Sequence, residues 1–225
     1  MKTYILLLLT CSFLYPFPDH DQLDFREYQY PISQLDQEIV FVYQKTDSKD
    51  SALSYTYKQV ISLDGKQALA STQGNGVINY DSAITELDNS FRLLKIYRFD
   101  YDSLNNHIGT TQGQIKKFEI SDSDIHAKLR FVKDNIVIKT DKTTEFVSDT
   151  TVSWKSEIVD AIYFESDYQV RVKHKFIPFL GEKRSYPGYS IYAENIGLVR
   201  YGSEVNGQMF EWKLIEIKKT EGNNK

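Results

Sequence analysis

From residue 37 to residue 219, apolar and polar side chains alternate with a period of two, the spacing of a strand that buries one of its faces. Val40 and Val42, with Phe41 and Tyr43 between them, predict a first strand, and Leu53, Tyr55 and Tyr57 alternate with Ser54, Thr56 and Lys58 in a second. Further strand-like runs fall at about 77–86, 91–101, 112–120, 127–132, 136–141, 144–154, 161–166, 168–177, 188–194, 197–204 and 209–218. β-branched and aromatic residues fill them, as a half-buried pleated surface favours. Tight turns are signalled by Asp64-Gly65, Asp88-Asn89, Asp134-Asn135 and Asn206-Gly207, residue types that accept positive φ at little cost. No segment sustains a 3.6-residue period, and Ser156-Glu157-Ile158-Val159-Asp160-Ala161 alone could form a helical turn or two. The expectation is an all-β fold with little helix: one antiparallel meander sheet curled into an open or half barrel, or folded over as a sandwich. A membrane-spanning barrel would need an apolar lipid face along each strand, whereas Lys128-Leu129-Arg130-Phe131-Val132-Lys133 carries charge on both faces of the pattern.

The first eighteen residues read differently. Lys2 precedes an apolar run from Tyr4 to Leu9 that reaches Tyr15 past Thr10, Cys11 and Ser12, and Pro16 and Pro18 end it. One positive charge, a short apolar centre and a helix-breaking exit describe an export signal, and the run is shorter than the ~20 apolar residues of a spanning helix. The expected organisation is a signal peptide at 1–18, an extended lead-in at 19–36, a single β domain at 37–219 and a disordered tail at 220–225. Localisation follows: exported, in the periplasm, associated with the outer membrane, or secreted. Cys11 is the one candidate for lipidation, because Leu8-Leu9-Thr10-Cys11 has the outline of a lipobox. Against that, Thr10 replaces the usual small residue, and Ser12-Phe13-Leu14-Tyr15 is apolar where a polar tether is expected.

Cys11 is also the chain's single cysteine, so the β domain has no disulfide and must be held by burial and sheet hydrogen bonds. The net charge of −4 becomes −5 without Lys2, an acidic balance that argues against nucleic acid as a partner. Catalytic signatures are missing: H-E-x-x-H, G-x-S-x-G, a P-loop and a thiol nucleophile in the domain are all absent. Gln73-Gly74-Asn75-Gly76 opens no helix and offers no phosphate cradle. Asp100-Tyr101-Asp102 matches the first two ligand positions of a calcium loop, but Leu104, Asn106 and Thr111 stand where its third ligand, its glycine and its glutamate belong. Hairpin chemistry explains that segment, and turn chemistry explains Ser121-Asp122-Ser123-Asp124. No catalytic residue, metal site or cofactor is therefore assigned. Trp154 and Trp212 are read as core or sheet-face anchors, the arm around Trp212 pairing with Ile196-Gly197-Leu198-Val199.

One basic and aromatic concentration stands out. Val170, Val172, His174 and Phe176 alternate with Arg171, Lys173, Lys175 and Ile177, and a loop-like apolar run, Phe176-Ile177-Pro178-Phe179-Leu180-Gly181, leads to Lys183, Arg184, Tyr186, Tyr189 and Tyr192. As a binding rim, Arg171, Lys173, Lys175, Lys183 and Arg184 would meet an anionic group while Phe176, Phe179, Tyr186 and Tyr189 cover an apolar body. The plainer meaning is an edge or solvent-facing strand whose lysines discourage edge-to-edge aggregation.

Near the C-terminus, Ile191-Tyr192-Ala193-Glu194-Asn195-Ile196-Gly197-Leu198-Val199-Arg200-Tyr201, then Asn206-Gly207 and Phe210-Glu211-Trp212-Lys213-Leu214, resembles the closing hairpin of uncharacterised exported β-rich proteins of Gram-negative bacteria, many of them lipid-anchored. Tyr30-Pro31-Ile32-Ser33-Gln34-Leu35-Asp36 is similar to their opening segment. The resemblance implies an envelope location, and the group has no established activity to carry over. Physically, Gly197 suits a strand bend or a close backbone approach, with Tyr192 and Val199 on the core face. Three functions stay open. The first is a non-catalytic module binding an amphiphilic or anionic small molecule or another envelope protein. The second is a hydrolase of envelope polysaccharide working through a carboxylate pair, and the third is a structural envelope component.

Overall fold

The computed structural model describes residues 25–28, 30–31, 38–46, 55–62, 67–74, 78–86, 93–101, 106–120, 124–177 and 181–219. The signal segment with Cys11, the turns at Asp64-Gly65 and Asp88-Asn89, Phe179 and the tail at 220–225 lie outside them. A 3-10 turn, Phe25–Tyr28, precedes thirteen strands: β1 (Ile39–Lys45), β2 (Tyr55–Ser62), β3 (Gln67–Gly74), β4 (Ile78–Glu86), β5 (Leu93–Tyr101), β6 (His107–Gln112), β7 (Gln114–Ile120), β8 (Asp124–Lys133), β9 (Ile136–Trp154), β10 (Glu157–His174), β11 (Gly181–Ala193), β12 (Gly197–Val205) and β13 (Gln208–Lys219). No α-helix occurs among the described residues.

Every pairing is antiparallel, and the sheet order is β6-β5-β4-β3-β2-β1-β13-β12-β11-β10-β9-β8-β7. Strands adjacent in sequence are therefore adjacent in space, as short connections dictate. The first and last strands zip together from Ile39↔Lys219 to Lys45↔Trp212. The ladder ends at β6 and β7, which are consecutive in the chain and do not pair, so the sheet is rolled but not closed into a barrel. Gly113 joins them. Its N–H donates to the Ile96 carbonyl of β5 at 2.8 Å, while Gln114, the next residue, pairs with Arg130 of β8. One strand thus leaves one end of the sheet and enters the other at a single residue. A Cβ on Gly113 would lie 2.6 Å from Ile96 Cγ2 and 2.7 Å from Phe131 Cε1. Leu93 and Ile96 of β5 cluster there with Leu129 and Phe131 of β8, a small core that holds the sheet's two ends together.

The larger core gathers Ile39, Phe41, Tyr43, Val60, Ile125, Ile162, Phe164, Tyr192, Leu198, Trp212 and Leu214. Tyr43 is fully buried and its hydroxyl donates to the Leu198 carbonyl at 2.8 Å. Tyr201 stacks on Trp212 at 5.3 Å and meets Tyr43 edge-on at 5.3 Å. The ammonium of buried Lys58 lies 5.4 Å from the Tyr43 ring and 5.1 Å from the Tyr201 ring. Burial holds both phenols far above their ordinary pKa, so two neutral π-faces surround that cation.

Several local expectations need correction. Residues 156–161 form no helical turn. Lys155 (φ 48°) and Ser156 (φ 74°) make a two-residue hairpin turn instead, and β10 starts at Glu157. Lys and Ser are not the usual pair for positive φ, so the sequence carries no turn signal at this position. The runs at 136–141 and 144–154 are one strand, as are 161–166 and most of 168–177. Their polar centres stay on the ladder because Lys142 lies 4.8 Å from the Tyr168 ring, and the Thr144 and Ser166 hydroxyls are hydrogen-bonded at 3.0 Å. Trp212 pairs with Tyr201 rather than with residues 196–199. The positive φ values of Asp134 (51°), Asn206 (54°) and Gly207 (77°) agree with the turns expected there. Gly197 has φ +88°, and a Cβ there would stand 3.3 Å from the Tyr30 backbone nitrogen, so it bends the strand and admits a second backbone. Tyr192 and Val199 are buried.

Gly113→Val should overpack the junction between the sheet's two ends and destabilise the fold by about 1–3 kcal/mol. Urea unfolding followed by tryptophan fluorescence measures it. An unchanged midpoint would mean that the ends separate without consequence for the core.

Candidate functional site

Alternate residues of β8 (Ile125, Ala127, Leu129, Phe131) are buried, so Lys128 and Arg130 lie on the outer face. Register carries that face across the sheet. Arg130 is opposite Lys139 of β9, Lys139 is opposite Arg171 of β10, and Arg171 is opposite Lys183 of β11. Four cations therefore form one row across four strands, with adjacent strands ~4.8 Å apart. Arg130 Nη1 donates to Gln114 Oε1 at 3.1 Å. In the next row, Lys128 pairs with Asp141 at 3.2 Å, followed by Gln169. A groove of about 360 Å³ runs along these two rows, lined by Lys116, Lys128, Arg130, Lys139 and Arg171, with Asp141 as its single carboxylate. Like charges directly opposite one another in a sheet cost roughly 0.2–1 kcal/mol per pair, so the row opposes folding unless an anion spans it.

The structure separates the residues expected to act together. Arg171 and Lys183 are in the row, and Lys173 extends the same face one step along β10 toward Gly181 of β11. Lys175 lies beyond the end of β10, with its ammonium 5.6 Å from the ring of Phe176, which is 68% exposed. Arg184 alternates onto the opposite face, where it is paired with Glu182 at 2.5 Å; Tyr186 shares that face. The segment bearing them is strand from Gly181 onward, not loop. Phe179 lies outside the described residues. Arg130, Lys139, Lys116 and Lys128 escaped sequence reading because they come from other strands, and no local spacing links them to Arg171. Strand alternation marks each as outward, but register alone brings them together.

Tyr189 belongs to a separate outer-face network. Its ring covers Gly202, where a Cβ would meet Tyr189 Cε1 at 2.6 Å, and its hydroxyl donates to Glu211. Glu211 also accepts from Arg200 Nη2 at 2.6 Å and from Thr46 Oγ1 at 2.9 Å. Partial burial pushes the Glu211 carboxyl up, but the hydrogen bonds from Arg200, Tyr189 and Thr46 outweigh it and hold it below the usual carboxylate range. The same carboxylate, after burial, raises the Tyr189 phenol.

A second concavity, about 260 Å³, opens beside the β8–β9 turn and is lined by Arg98, Asp100, Thr111, Phe131, Lys133 and Ile138 among others. Asp100 lies 3.0 Å from Lys133 and 3.5 Å from Arg98, so its carboxylate is engaged by two cations. That charge-balanced end contrasts with the basic groove.

Because the folded-state pKa of Glu211 lies below its reference value of 4.5, it contributes stability above that pH, and this contribution is lost as pH falls through the lower folded value. Glu211→Gln should therefore lower stability at neutral pH and flatten the loss on acidification. Urea midpoints measured against pH test this; parallel curves for the two proteins would reject it.

The chain matches no protein-family model and no curated protein sequence. It is similar in structure to a proposed lipoprotein of Parabacteroides distasonis ATCC 8503, with 13% identity over 84% of this chain and 97% of that one, at a TM-score of 0.37. It is also similar to a proposed exported protein with a YmcC-like fold from Bacteroides fragilis NCTC 9343, with 14% identity over 93% of this chain and all of that one, at a TM-score of 0.35.

Proposed function

We propose that this is an exported, non-catalytic binding protein that holds an anionic ligand on the outer face of β8–β11. One observation carries the reading: the Arg130–Lys139–Arg171–Lys183 row, four cations opposite one another on adjacent strands of an acidic protein. Such a row is unfavourable in the empty protein and becomes favourable when carboxylates, phosphates or sulfates lie along it. Arg130 and Arg171 can fork onto two oxygens, while Lys116 and Lys139 act as mobile point charges. The export half of the proposal rests on the charged, apolar and proline-terminated segment at 1–18. A groove half open to solvent suits reversible capture from the envelope.

Lys139→Glu tests the proposal in two directions at once. By replacing repulsion with attraction on both sides of β9, it should raise the unfolding free energy by roughly 0.2–1 kcal/mol. It should also lower the salt concentration at which the protein elutes from an immobilised polyanion such as heparin. Arg130→Ala/Lys139→Ala/Arg171→Ala should retain the fold while eluting at lower salt, because screened surface charges carry the interaction. Elution of both variants at the wild-type salt concentration would remove this face from the function.

A further inference from the structure

Apart from the sheet's ends at β6 and β7, one-sided stretches among the described residues include parts of β11 and β9. Residues 181–187 of β11 pair with β10, and the ladder to β12 begins at Gly188↔Ser203. Residues 146–154 of β9 pair with β10, and the ladder to β8 stops at Asp124↔Glu145. The first edge carries Glu182, Lys183, Arg184 and Pro187, the charges and proline that keep an open edge from pairing with another chain. The second reads Ser148-Asp149-Thr150-Thr151-Val152-Ser153-Trp154, with three β-branched residues, no lysine, no proline and one charge. A bulge at Val147 marks where it leaves the body of the sheet.

The edge is also held firmly. Val152, Trp154 and Val159 pack against the main core, so this ribbon has a seated face. The pair closing a two-residue turn, Trp154↔Glu157, is the hydrogen-bonded kind, and bonded and non-bonded pairs alternate from there. Val152 and Thr150 accordingly bond toward β10, while Asp149, Thr151 and Ser153 direct N–H and C=O groups outward in the register a new antiparallel strand requires.

Charge identifies the occupant. Lys155 sits in the turn at one end of this edge; exposed Glu145 lies at the other, with Asp124 as its register partner. Within one chain these ends are far apart. A two-fold axis through Thr151 sets outward-directed residues against one another, Thr151 against Thr151 and Asp149 against Ser153, and places Lys155 of each copy opposite Val147 of the other, two residues from Glu145. We infer that residues 148–154 form the seam of a symmetric dimer, in which a second copy of this chain adds the same segment as an antiparallel neighbour. This inference is independent of the anion-binding face.

Sedimentation of the full chain over a range of concentrations tests it, and the expected result is a reversible dimer. Thr151→Pro removes an outward N–H and spares the β9–β10 bonds, so it should give a folded monomer with unchanged circular dichroism. Lys155→Glu should weaken association by about tenfold through like-charge contact at the far end, and Lys155→Glu/Glu145→Lys should restore it. If Thr151→Pro does not fold, the charge exchange decides alone. A wild-type monomer at every concentration, a dimer indifferent to these changes, no rescue by the double exchange, or a monomer that takes up a foreign strand would each overturn the assignment.

Discussion

The structure depends on where its one sheet stops. A meander of thirteen strands has two ends, and here they are β6 and β7, neighbours in the chain on either side of Gly113. Passing a strand between the ends requires the backbone to come within van der Waals reach of Ile96 and Phe131, which only a residue without a Cβ permits. The small core of Leu93, Ile96, Leu129 and Phe131 then fixes the roll, and the roll makes one sheet face an interior. With Cys11 the single cysteine, no disulfide within the chain can form, and that roll and the β1–β13 zipper are what hold the inner face together.

The interior so formed is not purely oily. Lys58 is enclosed by Tyr43 and Tyr201, Lys142 covers Tyr168, and Thr144 pairs with Ser166. Long lysine stems supply apolar contact while their heads rest against neutral rings, an arrangement that tolerates charge at depth. With the roll fixed from inside, the outer face is free of packing duty. It carries two different electrostatic solutions: Glu211 satisfied by Arg200, Tyr189 and Thr46, and the basic row left with one carboxylate for five cations around its groove. The contrast between a satisfied network and a self-repelling row on one surface is the physical reason for assigning binding to the second.

Uneven strand lengths shape the rest. β9 outruns β8 and β10 outruns β11, so the longest hairpin presents an edge beyond the body of the sheet. Where β11 is similarly uncovered, Lys183, Arg184 and Pro187 occupy the gap. The cations of the expected binding rim thus divide between two duties. Arg171 and Lys173 lie on a strand paired on both sides, while Lys183 belongs to the row and to a guarded edge.

Period-two alternation determined the all-β class and most strand positions, and residue type determined the turns at Asp134-Asn135 and Asn206-Gly207 and the role of Gly197, because each depends on a residue and its near neighbours. Alternation also placed Arg171 and Lys173 outward. The site itself was legible only in part. Arg130 and Lys139 join Arg171 through cross-strand register, which links residues tens of positions apart and leaves no local trace. Tertiary structure decided the rest: the roll about Gly113, the partners of Glu211 and the open edge of β9. Each of these is fixed by which strand lies beside which, and that is settled by the burial of a common face rather than by any single segment.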